Sequence, residues 1–282
     1  MIRVILSMLV LLSSTAFLHA QAKCNRPMLK EAVASYIAAQ KAGDISKISL
    51  ASEVKYIENM SETTKDKGLW NTALPIALHR SIYDVVRCKT FSEVIVTEGG
   101  HPYVIGTRLK VEDGKVSEID SLVTDEDDWL FDADIYLKYS KAEDWRVLDL
   151  DERVSRQDLV DAGNQYFDLV FLDPGIKPPW GAPCARLEGG IYTNMEGNDK
   201  DNCRVSAPMQ GGGMFVVNRT FVVDEEMGAV NVFCRFGSAD GMPDSHLFYL
   251  VDGRYRYIHT LSVNTSGEPI DYSGFAPPGE EE

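Results

Sequence analysis

Asp113-Gly114-Lys115, followed by Ile119-Asp120-Ser121-Leu122, returns late in the chain as Asp252-Gly253-Arg254, followed by Ile258-His259-Thr260-Leu261. Earlier stretches repeat in the same order. Leu29, Ala32, Tyr36 and Ile37 recur as Leu159, Ala162, Tyr166 and Phe167, and Asn59-Met60 recurs as Asn194-Met195. The spacing between copies drifts from about 130 to about 139 residues, as happens when small loop insertions accumulate between duplicated units. Three matches in one order imply two similar folding units in tandem rather than one large domain.

The first unit, residues 23–124, opens with Pro27 and then Leu29, Val33, Tyr36 and Ile37 at three-to-four spacing, which predicts an amphipathic helix ending at Gly43. Runs rich in alternating or β-branched residues follow from Leu50 to Glu58, Thr90 to Thr97, Tyr103 to Val111 and Lys115 to Thr124, with turns at Gly99-Gly100 and Asp113-Gly114. Between them, Ala77 to Tyr83 reads as helical. Residues 125–153 are acidic but keep Trp129, Phe131, Tyr136, Tyr139 and Trp145, so this connector is expected to lie against one or both units. The second unit, 154–265, repeats the plan with a helix from about Ser155 to Leu172 and strands around Arg186 to Asn194, Phe215 to Asp224, Ala229 to Phe236, His246 to Val251 and Arg254 to Val263. The tail, 266–282, reads as disordered. One helix followed by a long hairpin-connected sheet is an α+β plan in which a curved antiparallel sheet wraps a helix and leaves a conical hollow. Ligand pockets favour concave apolar places of that kind.

Residues 1–22 read as a secretory signal: Arg3 supplies the charge, Val4 to Leu12 the apolar core, and Ala20-Gln21-Ala22 the small residues for cleavage. The apolar stretch is too short for a comfortable membrane span. Removal leaves about 260 residues, enough for two ordinary cores. The 282-residue chain carries 28 Lys+Arg against 43 Asp+Glu, a formal charge of -15. That charge repels phosphate backbones and argues against nucleic acid as a partner; its plain meaning is solubility outside the cell. Of five cysteines, Cys24 is expected to pair with Cys88 and Cys184 with Cys203, leaving Cys234 as a buried thiol in an alternating strand. No CxxC pair points to a zinc ribbon or thioredoxin chemistry. Asn59, Asn218 and Asn264 head N-glycosylation sequons.

Trp129-Leu130-Phe131, Arg153-Val154-Ser155-Arg156, the run Pro183-Cys184-Ala185-Arg186-Leu187-Glu188-Gly189-Gly190-Ile191-Tyr192 and His259-Thr260 resemble a family of secreted, mainly fungal proteins with SnoaL-like (NTF2-like) folds. The similarity runs over most of the chain after the signal segment. It implies two cone folds and is silent on chemistry, because SnoaL-like relatives include cofactor-free isomerases, cyclases, dehydratases and hydrolases as well as proteins that only bind or assemble.

Asp252-Gly253 between alternating runs signals a two-residue hairpin. Counting outward pairs Leu250 with Tyr255, Phe248 with Tyr257 and His246 with His259, all on one face by strand parity. The expected picture is an aromatic wall ending in two imidazoles in contact across the strands. In the first unit the same count pairs Leu109 with Glu118 and Thr107 with Asp120. His259 with His246 would then carry protons, since imidazole both takes and gives one near neutral pH. Asp224 and Arg219, on a neighbouring strand, would orient a histidine or hold a polar substrate group, and Asp120 is the first unit's candidate. The bland alternative is one core histidine and one exposed at the hairpin's open end. Two cross-strand histidines with Asp224 or Glu188 could also hold a metal; no HxH or HExxH spacing supports that, and the reading takes no metal and no cofactor. Nucleophile elbows, Walker loops and dinucleotide fingerprints are absent, and Gly211-Gly212-Gly213 lacks what phosphate binding needs. Two function classes remain: a secreted cofactor-independent lyase, isomerase or cyclase acting on a mostly apolar small molecule, or a non-catalytic extracellular binding or interaction protein. Oligomeric state is not encoded legibly.

Overall fold

The structure, a computed structural model, describes residues 24–194, 203–204 and 215–267. The expected signal segment, Met195, the Gly211-Gly212-Gly213 loop and most of the expected tail lie outside the described residues. In the first unit the Asn25 side chain accepts from Met28 N and Pro27 occupies the first turn, so helix α1 starts there and spans Arg26–Ala42; Gly43, in the left-handed region at φ 59°, closes it. Six strands follow: β1 Leu50–Glu58, β2 Ser61–Thr63, β3 Leu78–Asp84, β4 Lys89–Val96, β5 Tyr103–Glu112 and β6 Lys115–Thr124. Helix α2, Ala133–Ala142, lies in the connector. Helix α3, Arg156–Phe171, begins at a reciprocal capping box between Ser155 and Asp158. Its strands are β7 Trp180–Glu188, β8 Ile191–Tyr192, β9 Val216–Asp224, β10 Ala229–Phe236, β11 Met242–Val251 and β12 Arg254–Ser262.

The two sheets have one strand order, β2-β1-β6-β5-β4-β3 and β8-β7-β12-β11-β10-β9. The protein is α+β with two six-stranded sheets, each covered by one helix. The sheets are mixed rather than purely antiparallel, because β1 pairs parallel with β6 and β7 parallel with β12. Each of these first strands is cut off from the hairpin-linked meander by a crossover, and it meets the meander's last strand running the same way. The stretch read as helical near Ala77 to Tyr83 is β3, whose Ile82 and Tyr83 point to opposite faces, into the inter-sheet core and toward α1. The Asn59-Met60 match to Asn194-Met195 is also corrected. Asn59 and Met60, both at positive φ, form the two-residue turn between β1 and β2, and the equivalent turn between β7 and β8 is Gly189-Gly190.

Strand register settles the question of the two histidines. The Asp113-Gly114 and Asp252-Gly253 turns form as expected, with both residues of each at positive φ. Two pairs beyond each turn, however, the ladder slips: Leu250 pairs Tyr255 but Tyr249 pairs Tyr257, leaving Arg256 as a bulge, and Ser117 bulges the same way between Val116 and Glu118. A single extra residue reverses the facing of everything after it. Hence His246 pairs with Thr260 and His259 with Leu247; Thr107 pairs with Ser121 and Asp120 with Arg108. His246 and His259 lie on opposite faces of the second sheet, and the expected contact between them does not exist.

Inner faces pack against helices. Leu29, Val33, Tyr36 and Ile37 of α1 sit on Val94, Ile105, Leu109 and Ile119, while Leu159, Ala162, Tyr166 and Phe167 of α3 sit on Val230, Val232, Phe248 and Ile258. Gly163 lets α3 approach closely, since a Cβ there would lie 3.2 Å from Val232 Cγ2. The outer faces pack on each other: Ile82, Phe91 and Leu122 of the first sheet join Val222, Phe233, Leu247 and Tyr257 of the second in one core. Phe91 and Phe233 meet edge to face at 6.0 Å.

Two crossed ion pairs lock this face. Asp84, at the end of β3, receives Arg156 from the start of α3 through two bonds of 2.8 and 2.6 Å, and also Val223 N. Asp224, at the end of β9, receives Arg26 from the start of α1 at 2.8 and 3.0 Å, and also Tyr83 N. Each unit thus grips the other's first helical turn by equivalent residues, as the halves of a twofold dimer would. Both carboxylates are at most 1 % exposed. Removing one partner of such a pair strands a buried charge, so Arg26→Ala and Arg156→Ala should each lower unfolding free energy by about 3 to 5 kcal/mol, read from the urea midpoint at constant m.

Candidate functional site

The inner faces of the two sheets are equivalent in position and differ in chemistry. In the first unit, Tyr36 OH bonds Thr107 Oγ1 at 2.8 Å and Thr107 bonds Ser121 Oγ at 2.9 Å, a closed chain of hydroxyls. Burial raises the Tyr36 pKa to about 12. Tyr56 stacks on Trp70, both 2 % exposed, and its hydroxyl donates to Glu58 at 2.5 Å. The hollow is filled by its own side chains.

In the second unit, strand equivalence puts Tyr166 at the place of Tyr36, His246 at that of Thr107, Thr260 at that of Ser121 and Arg186 at that of Tyr56. The closed chain is opened. His246 Nδ1 lies 2.5 Å from Asp244 Oδ1, and Asp244 Oδ2 accepts from Ser262 Oγ at 2.5 Å. Cys234 Sγ donates to the same carboxylate at 3.7 Å; burial, then the Asp244 charge, raises its pKa well above the usual thiol value, so it stays a protonated donor rather than a nucleophile. With Nδ1–H held by Asp244, the Nε2 lone pair of His246 is the free one. Among the described residues it has no hydrogen-bond partner. Thr260 Oγ1, on the residue paired with His246, is buried and likewise unpartnered among them. Aromatic rings surround the imidazole: Phe167 at 4.8 Å, Tyr166 at 5.2 Å and Phe248 at 5.7 Å between centroids.

Arg186 adds a cation to this interior. Its Nε lies 3.4 Å from Glu188 Oε2, yet makes no aligned hydrogen bond. Burial works against its charge, and Glu188 followed by the Tyr166 hydroxyl outweighs that, so its pKa is raised. Glu188 is held in turn by Trp129 Nε1 at 3.0 Å. The cluster therefore offers one lone-pair base fixed by a carboxylate, one largely buried cation against a phenol, and an unpartnered hydroxyl, set among aromatic side chains. Such a set takes a proton at one point and stabilises negative charge at another. Among the described residues no group of His, Cys, Asp and Glu has metal-holding geometry.

His259 stands elsewhere, between the sheets. Its Nδ1 is 3.0 Å from Glu93 Oε2 of the first unit and its Nε2 is 2.7 Å from Glu143 Oε2 of the connector. Both ring nitrogens donate to carboxylates, so the ring is an imidazolium with no lone pair to offer. Burial pulls its pKa down, but Glu143 and Glu93 outweigh burial and raise it to about 9. Arg80 bonds Glu93 at 3.2 Å and lies 4.2 Å over the Trp145 ring, while Tyr136 OH donates to Glu93 at 2.9 Å. This network ties both units and the connector together.

The other expected site residues divide in the same way. Phe248 and Tyr255 line the inner face with His246, but Tyr257 stacks with Trp145 on the outer face. Arg219 bonds Asp168 at 2.7 Å and Asn164 at 3.0 Å, bridging β9 to α3. Asp224 is committed to Arg26, and Asp120 faces outward opposite Arg108. Arg108 in turn bonds Asn231 at 2.7 Å and Thr220 at 2.6 Å across the sheets. The disulfides Cys24–Cys88 and Cys184–Cys203 form, with Cys234 free and buried. Both bridges are consistent with an extracellular protein, and no described helix is long and apolar enough to cross a membrane. Asn218 is exposed, Asn59 accepts from Val123 N at 2.8 Å, and Asn264 donates to Asp127 O at 3.2 Å. Asp244 and Thr260 were missed as site residues, although Asp244-Ser245-His246 carried a signal: residues two apart on a strand share a face.

These features define a two-unit α+β protein with a polar cluster inside one unit. Residues 152–262, the second unit, match a family described as a domain of unknown function (DUF8021). Among solved structures, the chain is similar to an NTF-2 like protein of unknown function from Burkholderia xenovorans LB400, at 15% identity and a TM-score of 0.28, over 35% of this chain and 84% of that one. No curated protein matches.

The His259 network fixes a pH dependence. A histidine raised from about 6.5 to about 9 on folding contributes stability that is whole below pH 6.5 and lost as pH climbs through 9. Guanidinium midpoints of the native protein should therefore fall from pH 6.5 to 9.5 by the equivalent of about 3 kcal/mol more than those of His259→Gln.

Proposed function

We propose that the second unit is the working half of the molecule, a cofactor-independent site for a mostly apolar small molecule bearing a carbonyl, and that the chain is a secreted lyase, isomerase or cyclase. One observation supports this reading: at equivalent positions, the first unit closes its hydroxyl chain on itself, while the second leaves Thr260 Oγ1 buried without a partner among the described residues, beside a His246 ring held through Nδ1 by Asp244. Buried polar groups without partners cost stability, and a ligand that meets them repays it. In the proposed reaction His246 Nε2 takes a proton from the carbon beside the carbonyl, the bonding pair moves to the carbonyl oxygen, and Arg186 with Tyr166 stabilises that oxyanion. The proton returns from the imidazolium to another carbon, or to a departing group. Asp244 orients the ring and stabilises it when charged, and Phe167, Phe248 and Tyr255 hold the apolar body.

The roles expected from the sequence shift accordingly: His246 is the proton carrier, Asp244 takes the orienting role given to Asp224, and His259 and Asp120 serve the inter-sheet contact. The first unit has a structural role, as partner and brace. The signal segment, the two disulfides and the sequons support a secretory route.

Native mass spectrometry of protein purified from its producing cells should find one retained small molecule per chain. Its turnover should drop about a thousandfold in His246→Gln while the fold is kept, and Arg186→Gln should lower turnover as well. His259→Gln should change stability and leave turnover per folded molecule within about twofold of the parent. A chain that retains nothing, and whose melting temperature no apolar ketone or enone raises, would overturn the reading.

A further inference from the structure

A concavity lies on the seam between the units, lined by none of the His246 cluster. It measures about 720 Å³ and is lined by Arg87, Lys89, Lys110, Arg156, Gln157, Val160, Thr220 and Phe221. Four of these residues are cationic and none is acidic, in a chain whose carboxylates outnumber its cations by 43 to 28. Arg87 and Lys89 come from the β3–β4 turn and β4, Lys110 from β5, Arg156 from the start of α3, so the charge is gathered from both units. Lys89 and Lys110 are direct cross-strand partners. Like charges placed opposite each other in a sheet destabilise it.

The neutralisation of these cations is partial. Arg156 is shared with Asp84 behind the groove, and Lys110 Nζ meets Glu112 at 2.6 Å on the rim. Among the described residues, Arg87 and Lys89 have no ion-pair partner. Beside the cations, Val160 of α3 and Phe221 of β9 give an apolar wall, each only partly buried and each packed against the second unit's core.

We propose that this groove binds an organic dianion: a phosphate monoester or dicarboxylate head held by Lys89, Lys110 and Arg87, with a flat apolar body on Phe221 and Val160. A dianionic head relieves the repulsion between Lys89 and Lys110 and forms charge-assisted bonds to both. Because the groove bridges the units beside the Asp84–Arg156 pair, occupancy stabilises their association as well.

The test uses the full-length protein at low ionic strength, titrated by calorimetry with phenyl phosphate, phthalate and inorganic phosphate as probes. Phenyl phosphate or phthalate should bind one per chain, at least about tenfold tighter than inorganic phosphate, and raise the melting temperature. Which of the two binds tighter names the head. Lys89→Gln and Arg87→Gln, both near the surface, should each weaken binding about tenfold with unchanged circular dichroism, whereas Lys141→Gln, at an exposed position of α2, should not. Absence of binding by both organic probes, or binding indifferent to Lys89→Gln and Arg87→Gln, would overturn the proposal. Equal affinity for inorganic phosphate would remove the apolar body from the ligand class and overturn it in that form.

Discussion

The crossed pairs Arg26–Asp224 and Arg156–Asp84 join the two halves at their helix starts, and the packing of the rest follows from where they hold. Each carboxylate also accepts a backbone N–H from the other unit's edge strand, from Tyr83 or Val223. Edge strands β3 and β9 are therefore capped by each other's terminal aspartates, which disposes of polar groups that an unpaired edge leaves open. With those edges fixed, the outer sheet faces meet in register, and Phe91 reaches Phe233 while Arg108 reaches Asn231 and Thr220. Charge burial on this scale is tolerated because every such group has several partners; a lone buried carboxylate would shed its charge instead.

The same arrangement separates two jobs that a sheet can do with its two faces. Outward residues build the seam: His259, Glu93, Arg80, Tyr257 and Phe233 all belong to it. Inward residues build the hollows, and there the units have diverged. Tyr36, Thr107 and Ser121 finish their hydrogen bonds among themselves in the first, whereas in the matching places of the second Tyr166 turns to Arg186, His246 to Asp244, and Thr260 Oγ1 is left unpartnered among the described residues. A two-unit fold needs both seam halves to stay matched, whereas its two inner faces are free to differ.

Much of the fold was legible because it rested on local signals. Asp113-Gly114 and Asp252-Gly253 specify their turns through backbone geometry that few other dipeptides accept, and Asn25, Gly43 and Ser155 mark helix ends by their capping bonds. The site was legible only in composition. His246, Phe248 and Tyr255 share the inner face as the count from the turn expects, yet His259 faces the other way because Arg256 bulges, and a bulge is decided by how a strand curls over its neighbours rather than by the residues beside the turn. Asp224 looked like an acid near a histidine and is a clasp, because its partner Arg26 lies far away along the chain. The strand Leu78–Asp84 was hidden similarly: its identity depends on pairing with β4, and its own residues carry no clear period.

Helix α2 and the segments on either side of it run between the sheets rather than around them, with Tyr136 and Leu148 buried and Gly190 N bonded to Leu130 O. The two halves of this pseudo-dimer are thus tethered by a strap that is itself part of the joint. Their encounter is unimolecular, governed by a local concentration that dilution does not alter. The joined halves keep their paired form at any abundance, which a dimer of two separate chains could not do.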